Sequence, residues 1–240
     1  DDGARAVSAI ISEGIVPAAL EMMDAPITRA VEAYVGAGFP LDAEALLIIE
    51  VEGLEHGVAS QLFDCTRICH SHGATSFRRA ESETERALIW KGRKTAFGAI
   101  ARIQPNYYLH DTVVPRRKLA EVLSQVAAIA SDEDLQVMNV FHAGDGNLHP
   151  LLLFDKRVPG IMDRVHRAGE GIVRASIAAG GVLSGEHGIG LEKREFMPLM
   201  FDEPSLSAQL RMKAAFDPYD IANPGKVLPA PAKCGDSNRG

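Results

Sequence analysis

The sequence predicts an α+β fold in which helices cover an antiparallel sheet. Apolar runs of strand length flank an Asp-Gly turn signal, and helix-length segments with recognisable caps separate the strand-like runs. Of the 240 residues 46% are hydrophobic, enough for a full core. Two strand-helix-strand units of ferredoxin-like type fit this order.

The chain opens on Asp1-Asp2-Gly3 rather than Met, and its first element is expected at once. Leu46 to Val51 reads as a buried strand. Gly57 to Ser71 reads as a helix, with Leu62, Phe63, Cys65, Thr66, Ile68 and Cys69 at helical spacing and Gly73 as its cap. Glu81 to Ile100 is expected as a second helix, entered through acidic residues. After Pro105, Tyr107 to Val114 is extended, and Pro115 to Ile129 is helical with proline at its start. Val137 to Phe141 and Leu148 to Phe154 form a hairpin. Met162 to Ala179 is an amphipathic helix closed by Gly180-Gly181. The expected domain covers residues 1–229, followed by a flexible Pro/Gly/Ser-rich tail, 230–240.

A net charge of −7 argues against a nucleic-acid surface, which needs clustered Lys and Arg. No apolar run approaches a membrane span, and no charged leader precedes an apolar core, so a cytoplasmic location is expected. Three cysteines fit a reducing compartment better than a disulfide framework. Cys65 and Cys69, with His70 and His72 close by, admit a metal reading, but their place on an apolar stripe favours a buried helix. Cys234 falls in the tail and is expected as an exposed thiol.

The most informative stretch is His142-Ala143-Gly144-Asp145-Gly146-Asn147-Leu148-His149. With Asp145 and Gly146 at the tip, His142 faces His149 across the ribbon. Directly opposed residues share one face, so two imidazoles come close enough to grip one metal ion, although by themselves they read equally as two polar residues beside a turn. Ser184-Gly185-Glu186-His187-Gly188-Ile189-Gly190 offers no apolar face to bury and reads as a site loop, although a surface turn would carry the same residues. If it runs extended, Glu186 and His187 point to opposite sides, one free to ligate and the other to meet a substrate proton. A His, His, Glu set with an open position is the pattern of a catalytic metal site.

These two segments, with Asn223-Pro224-Gly225-Lys226, resemble the C-terminal domain of the FAD-linked oxidases, in the branch of the glycolate oxidases and the D-lactate dehydrogenases. The similarity runs from near Gly14 to near Pro229. It implies the substrate or cap domain of a vanillyl-alcohol-oxidase-type flavoprotein, with FAD bound mainly by an N-terminal domain absent from this chain; no Gly-x-Gly-x-x-Gly opens a helix here. It further implies oxidation of a small 2-hydroxy acid. His142, His149 and Glu186 would hold Zn, Mn or Fe, and His187 would act as the base. The family also places an arginine after the Trp90 position against the acid substrate, which here is Arg93; by itself Arg93 reads equally as a solvated residue near a helix end. Asn223 and Lys226 would lie in a turn facing the flavin, where the residues alone describe an ordinary Asn-Pro-Gly turn. Partners implied are the FAD domain, an iron-sulfur electron-transfer subunit and further copies of the chain, with peripheral attachment to the inner face of the membrane compatible with all of these.

Two positions depart from the 2-hydroxyglutarate branch of the family. Leu109 replaces a lysine and Leu151 an asparagine, both of which hold substrate there, so small monocarboxylic acids such as glycolate or D-lactate are favoured. Two rival classes remain: a metal-dependent hydrolase, which would use the same ligands without His-Glu-x-x-His, and a non-catalytic oligomerisation or docking module.

Overall fold

The computed structural model describes residues 1–229. Its strands are β1 (Ala19–Asp24), β2 (Ala45–Glu50), β3 (Asn106–Leu109), β4 (Thr112–Val113), β5 (Gln136–Phe141), β6 (Asn147–Leu148) and β7 (Pro150–Phe154). Five of them form an antiparallel sheet ordered β2-β1-β5-β7-β3, and β4 pairs with β6 in a second, small sheet. The helices are α1 (Asp2–Ser12), α2 (Ala25–Val35), α3 (Glu55–Ser71), α4 (Glu83–Lys94), α5 (Ala96–Ile100), α6 (Leu119–Asp132), α7 (Ile161–Ala178) and α8 (Glu203–Phe216).

Alternation along β1 assigns the two faces of the large sheet. Leu20 and Met22 enter a core shared with α1, α3, α6 and α7. Met23 enters the opposite core, shared with α2, α4 and α5. Glu21 lies on the Met23 side and is buried, an acid placed where an apolar residue would ordinarily pack. A third cluster joins Val173 of α7 to Leu183, Met197 and α8.

The α+β architecture expected from the sequence is present, and one ferredoxin-like unit is explicit. β7 lies between β3 and β5, so β3-α6-β5-β7 is a split β-α-β unit with α7 packed beside α6. The other strand-helix-strand segment, β1-α2-β2, pairs its two strands directly, because the chain after β2 continues into α3 instead of returning as a strand between them. Asp24 anchors that turn. Its carboxylate caps α2 through Ile27 N–H and accepts from both Asn139 N–H and Asn139 Nδ2.

The expected helix over 81–100 is two helices, broken at Thr95, whose hydroxyl donates back to the Lys91 carbonyl. The two segments read as single strands are also broken, at His110-Asp111 and at His149. These breaks lie side by side, since His110 N–H donates to the Pro150 carbonyl, and at this point both strands leave the large sheet for the small one. β1 is not marked in the sequence: Ala-Leu-Glu-Met-Met is rich in helix formers, and pairing with β2 and β5 overrides that propensity. Neither is α2 or α8, the latter lacking any fully buried residue to mark a face.

Cys65 and Cys69 are free, buried in α3, with burial pushing the Cys65 thiol up to about 11. The buried-helix expectation holds for them; Cys234 and the tail lie outside the described residues. Among the described residues, no helix is long and apolar enough to cross a membrane.

Candidate metal centre

The hairpin forms in a register two residues from the expected one. His142 bridges Asn147, not His149, because Ala143–Asp145 makes a 3-10 turn and Gly146 closes it in the left-handed region at φ +73°. A two-residue shift preserves the face of every side chain, whereas a shift of one would reverse it. His142 and His149 therefore still converge, as diagonal rather than direct neighbours, with ring centroids 5.5 Å apart.

The loop after Val182 is not extended. Gly185, Glu186 and His187 turn three successive N–H groups onto the Asp111 carboxylate, which also accepts from the Ser184 hydroxyl at 2.5 Å. Asp111 is buried at the break between β3 and β4. Burial alone would raise its carboxyl, but Ser184, the His187 N–H and the Lys193 ammonium outweigh that and hold it far below the usual range. The expectation that Glu186 and His187 face opposite ways is corrected here. Wrapping round one anion curls the backbone and brings both side chains to the histidine pair.

Glu186 Oε1 lies 2.7 Å from His149 Nε2 and 3.8 Å from His142 Nε2, and one ligand atom from each of the three residues lies within 4.8 Å of the other two. His187 stacks on His149 at 5.2 Å between centroids, with its Nε2 3.7 Å from Glu186 Oε1. Both ligand-type histidines are oriented from behind. His142 Nδ1 donates to Glu21 Oε1 at 2.7 Å, and His149 Nδ1 donates to the His110 carbonyl at 3.3 Å. Carboxylate and carbonyl can only accept, so each Nδ1 carries a hydrogen, and Nε2 is the ring nitrogen that each histidine turns toward Glu186 and would offer to a cation. Two neutral imidazoles and a carboxylate, aimed at one point and held by outer partners, fit a divalent first-row cation. The Glu21 hydrogen bond raises the His142 pKa against opposing burial, while burial lowers that of His149.

Arg93, on α4, is buried beside this cluster, not solvated. Its Nε donates to Glu21 Oε2 at 2.9 Å, and Nη2 lies 2.8 Å from the same oxygen in an ion pair. Glu21 thus joins the arginine to His142, and its carboxyl is lowered despite burial by His142 and Arg93. Leu109 and Leu151 face each other across β3 and β7 on the same side of the sheet as His149. Asn223 and Lys226 lie in an exposed turn, and Val227 N–H donates to the Gly190 carbonyl, docking that turn on the site loop.

Glu21, Asp111, Lys193 and His110 were not singled out by sequence reasoning. The clue for Glu21 was a lone acid inside an apolar run, and for Asp111 its place after a histidine at the end of an extended segment.

The family described as FAD linked oxidases, C-terminal domain, matches residues 1–227. The chain belongs to this family. Among curated relatives of this FAD-linked oxidase domain, it is 46% identical over 234 residues to glycolate oxidase subunit GlcD of Escherichia coli K12, covering 96% of the chain and 46% of that protein. It is 36% identical to the GlcD protein of Bacillus subtilis strain 168 (97% and 50%), and 29% identical to the mitochondrial D-lactate dehydrogenase [cytochrome] of Arabidopsis thaliana (95% and 40%). The chain spans about half the length of the curated relatives it matches. Among solved structures, 4-ethylphenol oxidase from Gulosibacter chungangensis superposes with a TM-score of 0.59 at 15% identity over 88% of this chain and 48% of that one. Alkyldihydroxyacetonephosphate synthase superposes with a TM-score of 0.53 at 16% identity, over 94% and 42%. At such identities the likeness concerns the fold.

Proposed function

We propose that this chain is the substrate and metal half of a flavin-dependent 2-hydroxy acid dehydrogenase or oxidase, of the glycolate or D-lactate class. The observation that carries this reading is the convergence of His142, His149 and Glu186 beside His187, in a chain whose relatives are named for glycolate and D-lactate oxidation. When bound, a Zn, Mn or Fe ion would supply a Lewis acid, and FAD, held mainly by a separate flavin-binding domain, a hydride acceptor.

The chain's own residues supply the remaining steps. His142, His149 and Glu186 hold the cation, and His187 accepts the substrate hydroxyl proton on Nε2, which its stacking on His149 keeps beside the ligand set. Arg93 keeps N–H groups beyond those committed to Glu21, and these address the substrate carboxylate. Leu109 and Leu151 present no charge to a second carboxylate, which favours a small monocarboxylic acid. The Asn223 to Lys226 turn, docked on the site loop, is assigned to the flavin side. An iron-sulfur electron-transfer subunit, self-association and a cytoplasmic or membrane-peripheral location belong to the same proposal.

The test combines metal content with flavin reduction in the chain joined to its flavin-binding domain. His149→Ala should lose the metal, whereas His187→Ala should keep it and slow flavin reduction by about 100-fold or more. Full metal retention in His149→Ala would overturn the ligand assignment; equal metal loss in His187→Ala and Glu186→Ala would make His187 a ligand. The chain alone should turn over neither glycolate nor D-lactate with a dye acceptor. Turnover accompanied by a stoichiometric flavin spectrum would refute the two-part reading.

A further inference from the structure

Glu21 makes three contacts and divides them between its two oxygens. Oε2 accepts from Arg93 Nε at 2.9 Å and lies 2.8 Å from Nη2 of the same guanidinium as an ion pair, while Oε1 accepts from His142 Nδ1 alone, at 2.7 Å. The carboxylate and the guanidinium are both under one-tenth exposed, so no water competes freely for either. Glu21 comes from β1 and His142 from the end of β5, strands paired through Met22–Phe141 and Met23–Val140; the sheet therefore sets the distance between them. Arg93 reaches the same carboxylate from α4, on the face that carries the second core.

We infer that Glu21 is the positioning residue that fixes the tautomer of His142, and that Arg93 holds it in the orientation to do so. The inference rests on the reading of His142 as a metal ligand and adds to it the group that makes the imidazole competent. A neutral imidazole has one hydrogen. Because Glu21 Oε1 can only accept, that hydrogen is drawn to Nδ1, and the lone pair that a cation needs is left on Nε2, toward Glu186. Arg93 restrains the carboxylate from turning: with Oε2 held by the Nε hydrogen bond and the guanidinium charge, Oε1 is left to His142.

The isosteric change Glu21→Gln inverts this logic. Arg93 has no acceptor of its own and claims the amide oxygen, so the amide nitrogen must face His142 as a donor. Nδ1 then becomes the acceptor, the hydrogen moves to Nε2, and the ligating lone pair is lost without any change in side-chain size. His149 is untouched, since its Nδ1 is served by the His110 carbonyl.

The experiment has two arms on the metal-free full chain. Long-range nitrogen-proton NMR, at a pH where the imidazoles are neutral and with His142 assigned by its absence in His142→Ala, should show the Nδ1–H tautomer. This arm needs no functional variant to fold, and an Nε2–H tautomer would overturn the inference. Zn2+ affinity, measured by competition with a chelating indicator, should fall about 10- to 100-fold in Glu21→Gln. Wild-type affinity in a folded Glu21→Gln chain would also overturn it. His149→Ala serves as the separate control: if it binds Zn2+ as tightly as the parent, the metal reading itself fails, whatever the His142 tautomer.

Discussion

Replacing Asp111 by Asn tests whether one buried anion shapes the site loop. The carboxylate accepts from Ser184 Oγ and from the N–H groups of Gly185, Glu186 and His187. An asparagine keeps one acceptor oxygen and presents its NH2 to donors, so about two of the four bonds are lost. Hydrogen bonds to charged groups contribute about 1.5–3 kcal/mol each, which makes the loss about 3–6 kcal/mol. It also removes the carboxylate charge 3.5 Å from the buried Lys193 ammonium, which is left with the Asp111 backbone carbonyl. Glu186 and His187 are half exposed, so the loop can open to water without global unfolding. Amide hydrogen exchange at residues 185–187 should accelerate by about 100-fold or more, by conversion of that energy at 1.36 kcal/mol per decade. Zn2+ affinity should drop as Glu186 leaves the histidine pair, while exchange in β5 and β7 stays as in the parent. Unchanged protection at 185–187, or unchanged Zn2+ affinity, would refute the claim that Asp111 gathers this loop.

Two further outcomes follow from buried groups nearby. Among the described residues neither ring nitrogen of His110 has a partner, and burial, reinforced by Lys193, pushes its pKa down to about 3. Between pH 6.5 and 3 the unfolded chain binds a proton that the folded chain refuses, so this contribution to stability falls as pH falls. At pH 5 that amounts to about 2 kcal/mol relative to pH 8. Urea denaturation should show the parent losing about that much more than His110→Leu over this interval; equal losses would count against a neutral buried imidazole. Gly146→Ala should destabilise the chain by at least about 2 kcal/mol, because Gly146 sits at φ +73° and an added Cβ would lie 2.3 Å from the Val114 carbonyl oxygen. A variant as stable as the parent in urea would refute the described turn.

The sequence by itself determined the α+β class, the approximate span of several elements and the meeting of the two ligand-type histidines. It did so because these are local properties. Side chains on a hairpin alternate with period two, so His142 and His149 share a face in the expected register and in the observed one alike. Tertiary structure alone decided what surrounds them. Glu186 and His187 reach the histidines because their backbone wraps a carboxylate 75 and 76 residues away, and His142 is oriented by an acid 121 residues away. Arg93 reads in the sequence as a charge near a helix end, and only the packing of α4 against the sheet buries it against Glu21, 72 residues distant. No periodicity records such pairings, since each depends on which faces of remote elements the core brings together, and a buried charge finds its partner only once that core has formed.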